Sequence, residues 1–347
     1  MPQALPMIVA FVLALAISYR ITPFVRSIAL RFGMVDRPSS RREKDLKPRL
    51  GGTAMYVAFT VAILATIPFV EGRTSEELLK IVGLIFGATL VLGMGILDDR
   101  YELGPVPQFV AQITAAAIAI GSGIRIVQIT NPLGGPLSDS MIQLPTFLAI
   151  AFTFFWIIGA MNAINFIDGL DGLAAGIAAI AALTFFLHSM ELTQYTVAIL
   201  PLALAGCTLG FLPHNFFPAK ITMGTSGAVF LGYTLSTISV IGGTKAATLL
   251  LVLGIPIIDA AWIIGRRLVL RRSPFKADRA HIHHRLMEAG FSQRQIVIML
   301  YSLCAVFGTL ALVLSTRLMK LYAIGGMVLL VAGIIFLIAQ KKFGRTG

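Results

Sequence analysis

The sequence predicts an all-α, polytopic membrane protein, and three observations carry that expectation. Of its 347 residues 57% are hydrophobic and only 13% charged, with a mean hydropathy of +0.86, which excludes an ordinary soluble globule. The apolar residues come in runs of about 20, the length that crosses a bilayer as a helix. Those runs lack the alternating polarity of a membrane barrel, so helices are left as the way to satisfy the backbone in lipid.

The runs fall near residues 6–30, 50–70, 79–97, 107–121, 144–163, 172–188, 194–212, 224–242, 246–265, 297–316 and 321–340, which makes about eleven spans. The first has no basic stretch before it and no small-residue cleavage site, so it reads as a retained helix rather than a signal peptide. The run at 107–121 is short and carries Gln108 and Gln112. Cys207 and Cys304 sit inside apolar runs and read as small packing residues, not as a disulfide or a metal pair. No repeat or low-complexity tract divides the chain, so residues 1–347 read as a single domain.

An odd number of spans puts the termini on opposite sides. Twenty-two Lys and Arg fall on the side of the 31–49 loop and six on the other. The positive-inside rule then predicts an outside N-terminus and a cytoplasmic C-terminus. Cytoplasmic loops are expected at 31–49, 98–106, 164–171, 213–223 and 266–295. The net charge of +12 is therefore read as a membrane signal, with no nucleic-acid partner. Asp98, Asp99, Asp168, Asp171, Asp259 and Asp278 all fall on the cytoplasmic side, and acids at a membrane boundary are costly and usually functional.

The most informative stretch is Asn162-Ala-Ile-Asn165-Phe-Ile-Asp168-Gly-Leu-Asp171-Gly172. Asn162, Asn165 and Asp168 recur every three residues, so a helix places them on one face, with Asp171 continuing past Gly169. Such an oxygen-rich face suits a hard divalent cation such as Mg²⁺; a polar helix cap turned to water is the plainer reading. Asp98-Asp99 ends the third span, and adjacent carboxylates there call for a cation or a basic partner. Gly224-Thr225-Ser226-Gly227 can offer N–H groups to a phosphate, or serve only helix packing. His281, His283 and His284 lie among arginines; no cysteine is near to complete a zinc site, and anionic diphosphate, sugar or lipid headgroups suit them better. The basic 31–49 loop with Asp36 suits polyanions or lipid headgroups, and Asp259 is a membrane-embedded acid with Arg266 and Arg267 as candidate partners.

In their order along nearly the whole chain, these segments resemble the polyprenyl-phosphate N-acetylhexosamine-1-phosphate transferases, glycosyltransferase family 4, which include the muramoyl-pentapeptide transferase of peptidoglycan. The likeness is closest to the N-acetylglucosamine branch. The resemblance implies a Mg²⁺-dependent reaction, with Mn²⁺ as a substitute, on the cytoplasmic face of the bacterial inner membrane. There the phosphate of a polyprenyl carrier attacks the sugar-bearing phosphorus of a UDP-N-acetylhexosamine and UMP leaves. The implied partners are those two substrates and the bilayer, with a homodimer as a candidate assembly. By position, Asp98 and Asp99 match paired acids read as metal or acceptor-phosphate residues, and Asn165 matches a metal ligand. Asp168 and Asp171 match essential acids, Asp168 also counted with the metal. Asn162, Asn215, Lys220, Arg279, His281, His283 and His284 are the implied substrate contacts. Basic steering of anionic substrates and cation-assisted phosphoryl transfer agree with this on physical grounds.

Three positions depart from the family pattern: Thr225 stands where an aspartate is usual, Gln108 where a lysine is, and Lys44 where a histidine is. They keep open the alternative of a relative that binds carrier lipid or partners without catalysing. A transporter would spread its acids through mid-span positions, whereas these gather at one face.

Overall fold

The computed structural model describes residues 3–36, 47–131, 141–243, 246–269, 271 and 281–343. The helices are α1 (Ala4–Arg31), α2 (Gly51–Thr66), α3 (Ser75–Tyr101), α4 (Pro105–Gly121), α5 (Thr146–Ile167), α6 (Leu173–Glu191) and α7 (Tyr195–Asn215). They continue as α8 (Gly224–Ile241), α9 (Ala246–Val252), α10 (Gly254–Val269), α11 (Ile282–Glu288), α12 (Gln293–Val313) and α13 (Arg317–Phe343). Among the described residues nine are long and apolar enough to cross a membrane: α1, α2 with its 3-10 extension to Phe69, α3, α5 to α8, α12 and α13. The chain is an all-α, multi-pass membrane protein.

Two expected spans take a different form. The run at 246–265 is two helices, with the break between Val252 and Gly254. Pro256 lacks an N–H and its ring crowds the Val252 carbonyl four residues back, so one helix cannot run through. The run at 107–121 is α4, an apolar helix of 17 residues, shorter than any of those nine spans. Two small antiparallel pairs also occur: β1 (Val35–Asp36) with β2 (Lys47–Pro48), and β3 (Gln128–Thr130) with β4 (Met141–Gln143). Several expected loops are partly helical, since α3 runs past Asp98 and Asp99, α5 to Ile167, and α10 to Val269.

The bundle is built around α8. Every residue from Ser226 to Ser239 is buried, with α3 and α5 packed on it and α2 alongside. A helix enclosed on all sides must satisfy its own polar groups. The Ser236 and Thr237 hydroxyls do so by donating to the Tyr233 carbonyl, and Ser239 to that of Ser236. A second group, α1, α7 and α6, packs in sequence, with α12 against α6. Small residues let the backbones close up, as is usual between membrane helices: at Gly95 of α3 a Cβ would lie 2.3 Å from the Ser226 Cα.

The C-terminal ends of α3, α5 and α7 and the N-terminal ends of α2, α6, α8 and α12 meet at one end of the bundle. At the other end, Gln3 of the N-terminal segment donates to the Glu71 carbonyl between α2 and α3. Overpacking at the α3–α8 contact gives a direct test. Gly95→Val is expected to lower stability by about 1–3 kcal/mol, read as a lower melting temperature in detergent. Gly93→Val, whose Cβ would meet nothing within 4 Å, should melt as the parent does.

Candidate active site

The converging helix ends enclose a cavity of about 470 Å³. Its frame is backbone. Gly51 and Gly52, opening α2, donate to the carbonyls of Thr222 and Met223, just before α8. The segment at 47–49 pairs with β1 on one side and with Thr222 on the other. That arrangement delivers Asp36, Lys47 and Arg49 to the wall opposite the end of α5.

Four carboxylates line the cavity, and three are answered from within the chain. Asp99, near the end of α3, accepts from the N–H groups of Thr225 (2.8 Å) and Ser226 (3.1 Å). It thereby caps the N-terminus of α8, where unpaired N–H groups and the helix dipole favour an anion. Gly224 has φ +72°, and a Cβ there would lie 2.4 Å from an Asp99 carboxylate oxygen, so this turn requires glycine. Asp171 accepts from the Lys47 ammonium (2.9 Å) and from the Ala219 N–H (3.0 Å). Asp36 pairs with Arg49 and accepts from the Thr222 hydroxyl.

The fourth, Asp168, ends α5 as its C-cap and has no hydrogen-bond or ion-pair partner among the described residues. Enclosure in the cavity, with Asp99, Asp36 and Asp171 facing it, raises its carboxyl from the ordinary 3.8 to about 8; Arg49 offsets this only in part. Asn165, one turn earlier on α5, lines the same wall.

The histidines form a row behind that wall. His281 and His283 stack with centroids 5.4 Å apart, and His283 lies 4.3 Å from His284, which lines the cavity. His283 is buried against Gly169, whose Cβ, if present, would be 2.3 Å from Nε2. Among the described residues neither of its ring nitrogens has a hydrogen-bond partner. Burial, then the neighbouring His284 and His281, lowers the His283 imidazole from 6.5 to about 3.

The structure therefore gathers Asp99, Asn165, Asp168, Asp171, Asn215 and His284 in one cavity. Asn215 spends its amide as a brace, accepting from the Gly172 N–H and donating to the Ile221 carbonyl. Other candidates lie off the lining. Asn162 faces away, donating to Gln112 of α4 at 2.8 Å. Asp98 is buried beside Asp99 without lining the cavity, and Lys220 is exposed, its carbonyl receiving Arg26. Arg279 and Lys44 lie outside the described residues. Sequence reasoning did not single out Lys47, Arg49 or Thr222. Lys47 and Arg49 were legible only as members of a basic loop. Tyr301 of α12 was not legible at all; its hydroxyl donates to the Gly172 carbonyl and holds the Asp168–Asp171 turn from outside.

Fold and site together define a multi-pass helical membrane protein whose carboxylates, cations and a helix N-terminus converge on one cavity at a bundle end. The chain belongs to glycosyl transferase family 4. The family's profile matches residues 81–243. A Bacillus subtilis protein named "Probable undecaprenyl-phosphate N-acetylglucosaminyl 1-phosphate transferase" is 35% identical over 317 residues, covering 89% of this chain and 85% of its own. The decaprenyl-phosphate N-acetylglucosaminephosphotransferase of Mycolicibacterium smegmatis is 32% identical, over 83% of this chain and 77% of its own. The phospho-N-acetylmuramoyl-pentapeptide-transferase of Geobacillus kaustophilus is 30% identical, over 87% and 97%.

The Asp168 carboxyl sets a pH dependence whose sign can be worked out. Its native value lies above its unfolded one, so between pH 3.8 and about 8 the unfolded chain holds fewer protons, and stability falls as pH rises. Asp168→Asn, a mimic of the protonated acid, is expected to raise the melting temperature at pH 8.5 in chelator. The gain should shrink toward pH 4; an equal gain at both ends would remove the carboxyl as its source.

Proposed function

We propose that the chain transfers N-acetylhexosamine-1-phosphate, N-acetylglucosamine-1-phosphate by the first two relatives named above, from a UDP-sugar to polyprenyl phosphate, releasing UMP, as a first membrane step of envelope polysaccharide synthesis. One observation carries this reading. The described lining holds four carboxylates and two side-chain cations, an excess of negative charge in a cavity that would receive two phosphate-bearing substrates. A bound cation makes that combination favourable.

Mg²⁺ fits the donors present. No three His, Cys, Asp or Glu among the described residues stand close enough to hold a metal unaided. Mg²⁺, however, is usually held by one or two carboxylates, with substrate phosphates and water completing its octahedron. Asp168 and the Asn165 amide oxygen would be its protein ligands. When bound it would offset charge on the diphosphate, as phosphoryl transfer requires.

The chain's own residues supply the rest. Lys47 and Arg49, oriented by Asp171 and Asp36, present positive charge to the diphosphate. The N-terminus of α8 is held rigid by Asp99. In the reaction an acceptor phosphate oxygen forms a bond to the sugar-bearing phosphorus, the bond to the bridging oxygen breaks, and UMP takes the electron pair. His284 and the turn at Gly169–Leu170 border that space, and catalysis is mostly positioning within it.

Eleven passes with the cavity facing the cytoplasm complete the reading. Asp99 and Asn165 lie near the ends of α3 and α5 at the same bundle end, which supports a return across the membrane by α4. Likewise α9 and α10 would return it between α8 and α12. The 22-to-6 bias in Lys and Arg supports a cytoplasmic cavity, in a bacterial inner membrane by the relatives named above.

Purified protein with UDP-N-acetylglucosamine, undecaprenyl phosphate and Mg²⁺ should release UMP, stop with EDTA, and recover with Mg²⁺ or Mn²⁺. Asp168→Asn should lower the rate about 1,000-fold or more, the scale of losing an electrostatic contact at the reacting phosphate. Intact folded protein that releases no UMP from any UDP-N-acetylhexosamine would overturn the reading. Thr225 offers a second test, since it lines the same cavity as Asp168. Thr225→Asp should lower the cation-free melting temperature by like-charge repulsion and lower the Mg²⁺ concentration needed for half-maximal rate.

A further inference from the structure

Asp259 is the deeply buried acid that the mechanism above leaves unused. It lies on α10, just beyond the Pro256 break, and is 1% exposed. Oδ2 is 2.8 Å from His281 Nδ1, and Oδ1 accepts the Ile282 N–H at 2.9 Å. One carboxylate thus grips both the side chain before α11 and the first backbone N–H of α11. That helix has seven residues, far too short to hold its shape without tertiary support. From its start runs the row already described: the His281 ring beside Phe166 of α5 at 5.8 Å, stacked on His283, which abuts Gly169, and then His284 on the cavity wall.

We propose that Asp259 is a positioning residue. Through His281 and the Ile282 N–H it fixes the entry of α11, so that His283 stands against the Gly169 turn and His284 faces the cavity. It touches no substrate and acts only through the histidine row. The chemistry is specific to a carboxylate. Asp259 can accept from both donors at once, keeping His281 protonated at Nδ1. An asparagine of the same shape has one accepting oxygen, so with that oxygen on the Ile282 N–H its NH₂ group would meet Nδ1 and force His281 into its other tautomer. In so dry a setting, removing one member leaves the other buried without a partner, which loosens the contact strongly. The break at residues 253–254 gains a reason as well: it lets α10 start on a new course and bring Asp259 under the start of α11.

The kinetic arm of the test rests on the transferase reading; the exchange arm does not. Asp259→Asn, His281→Asn and the double variant are made in the full-length protein and compared by UMP release and by hydrogen exchange of peptides spanning 281–288. Each single substitution should lower kcat about 10- to 100-fold, and the double should cost no more than the worse single, because both remove the same link. Exchange over 281–288 should quicken in Asp259→Asn while peptides from α6 to α8 exchange as in the parent. Losses that multiply in the double variant would overturn the proposal, as would unchanged exchange at 281–288. Should Asp259→Asn not fold, the same exchange comparison is read on His281→Asn. A parent protein that releases no UMP would sink the transferase reading alone, and the exchange comparison would still decide the role of Asp259.

Discussion

Like charges crowded into a poorly solvated space must be answered, and at this end of the bundle the answers are also what joins the helices. Asp99 meets the N-terminus of α8 and so ties α3 to it. Asp171 takes the Lys47 ammonium and the Ala219 N–H, tying the turn before α6 to two loops at once. Asp36 takes Arg49 and closes the small β1–β2 pair. Asp99 and Asp171 are buried, so losing a partner there leaves a charge that costs more than the pair contributed, whereas the half-exposed Asp36–Arg49 pair is screened by water and matters less. The electrostatics of the cavity and the assembly of its walls are therefore one set of interactions.

The interior of the bundle makes this rigidity effective. Since α8 is enclosed along fourteen consecutive residues, its N-terminal turn cannot shift without moving α3 and α5, which carry Asp99 and Asp168. Small side chains at the contacts, such as Gly95 against Ser226, bring those helices close enough for short carboxylates to reach across. Asp and Asn have little side-chain freedom to lose. Placing them at helix ends on closely packed backbones yields a site held more by backbone than by rotamer choice.

Much of this was legible in the sequence because membrane burial writes a strong periodic signal. The apolar runs, the gathering of acids at one side, and the pairing of Asn165 with Asp168 all follow from length and spacing. Contacts between distant segments leave no such trace. Nothing near Lys47 announces Asp171, 124 residues away, and the basic loop reads as a field rather than as two particular cations. Spacing of three also misled in part: each step turns a helix by about 60° short of a full circle. Asn162 therefore rotates away toward Gln112 while Asn165 faces the cavity. The broken run at 246–265 was announced by Gly254 and Pro256, but a hydrophobicity window averages over such punctuation.

Asp168 differs from its three neighbours in having no donor among the described residues. Enclosure and the facing acids hold the Asp168 carboxyl above its ordinary value, so it keeps a proton more readily than a free carboxylate does. On the reading proposed above, binding a cation there must displace that proton, so cation affinity rises with pH and each binding event releases a proton. The neighbouring acids cannot share this role equally, since their oxygens are already committed to the fold. Among the described residues one acid thus stands uncompensated beside three that are satisfied. On that reading, the stability forfeited at Asp168 is offset in part when a cation and a diphosphate bind together.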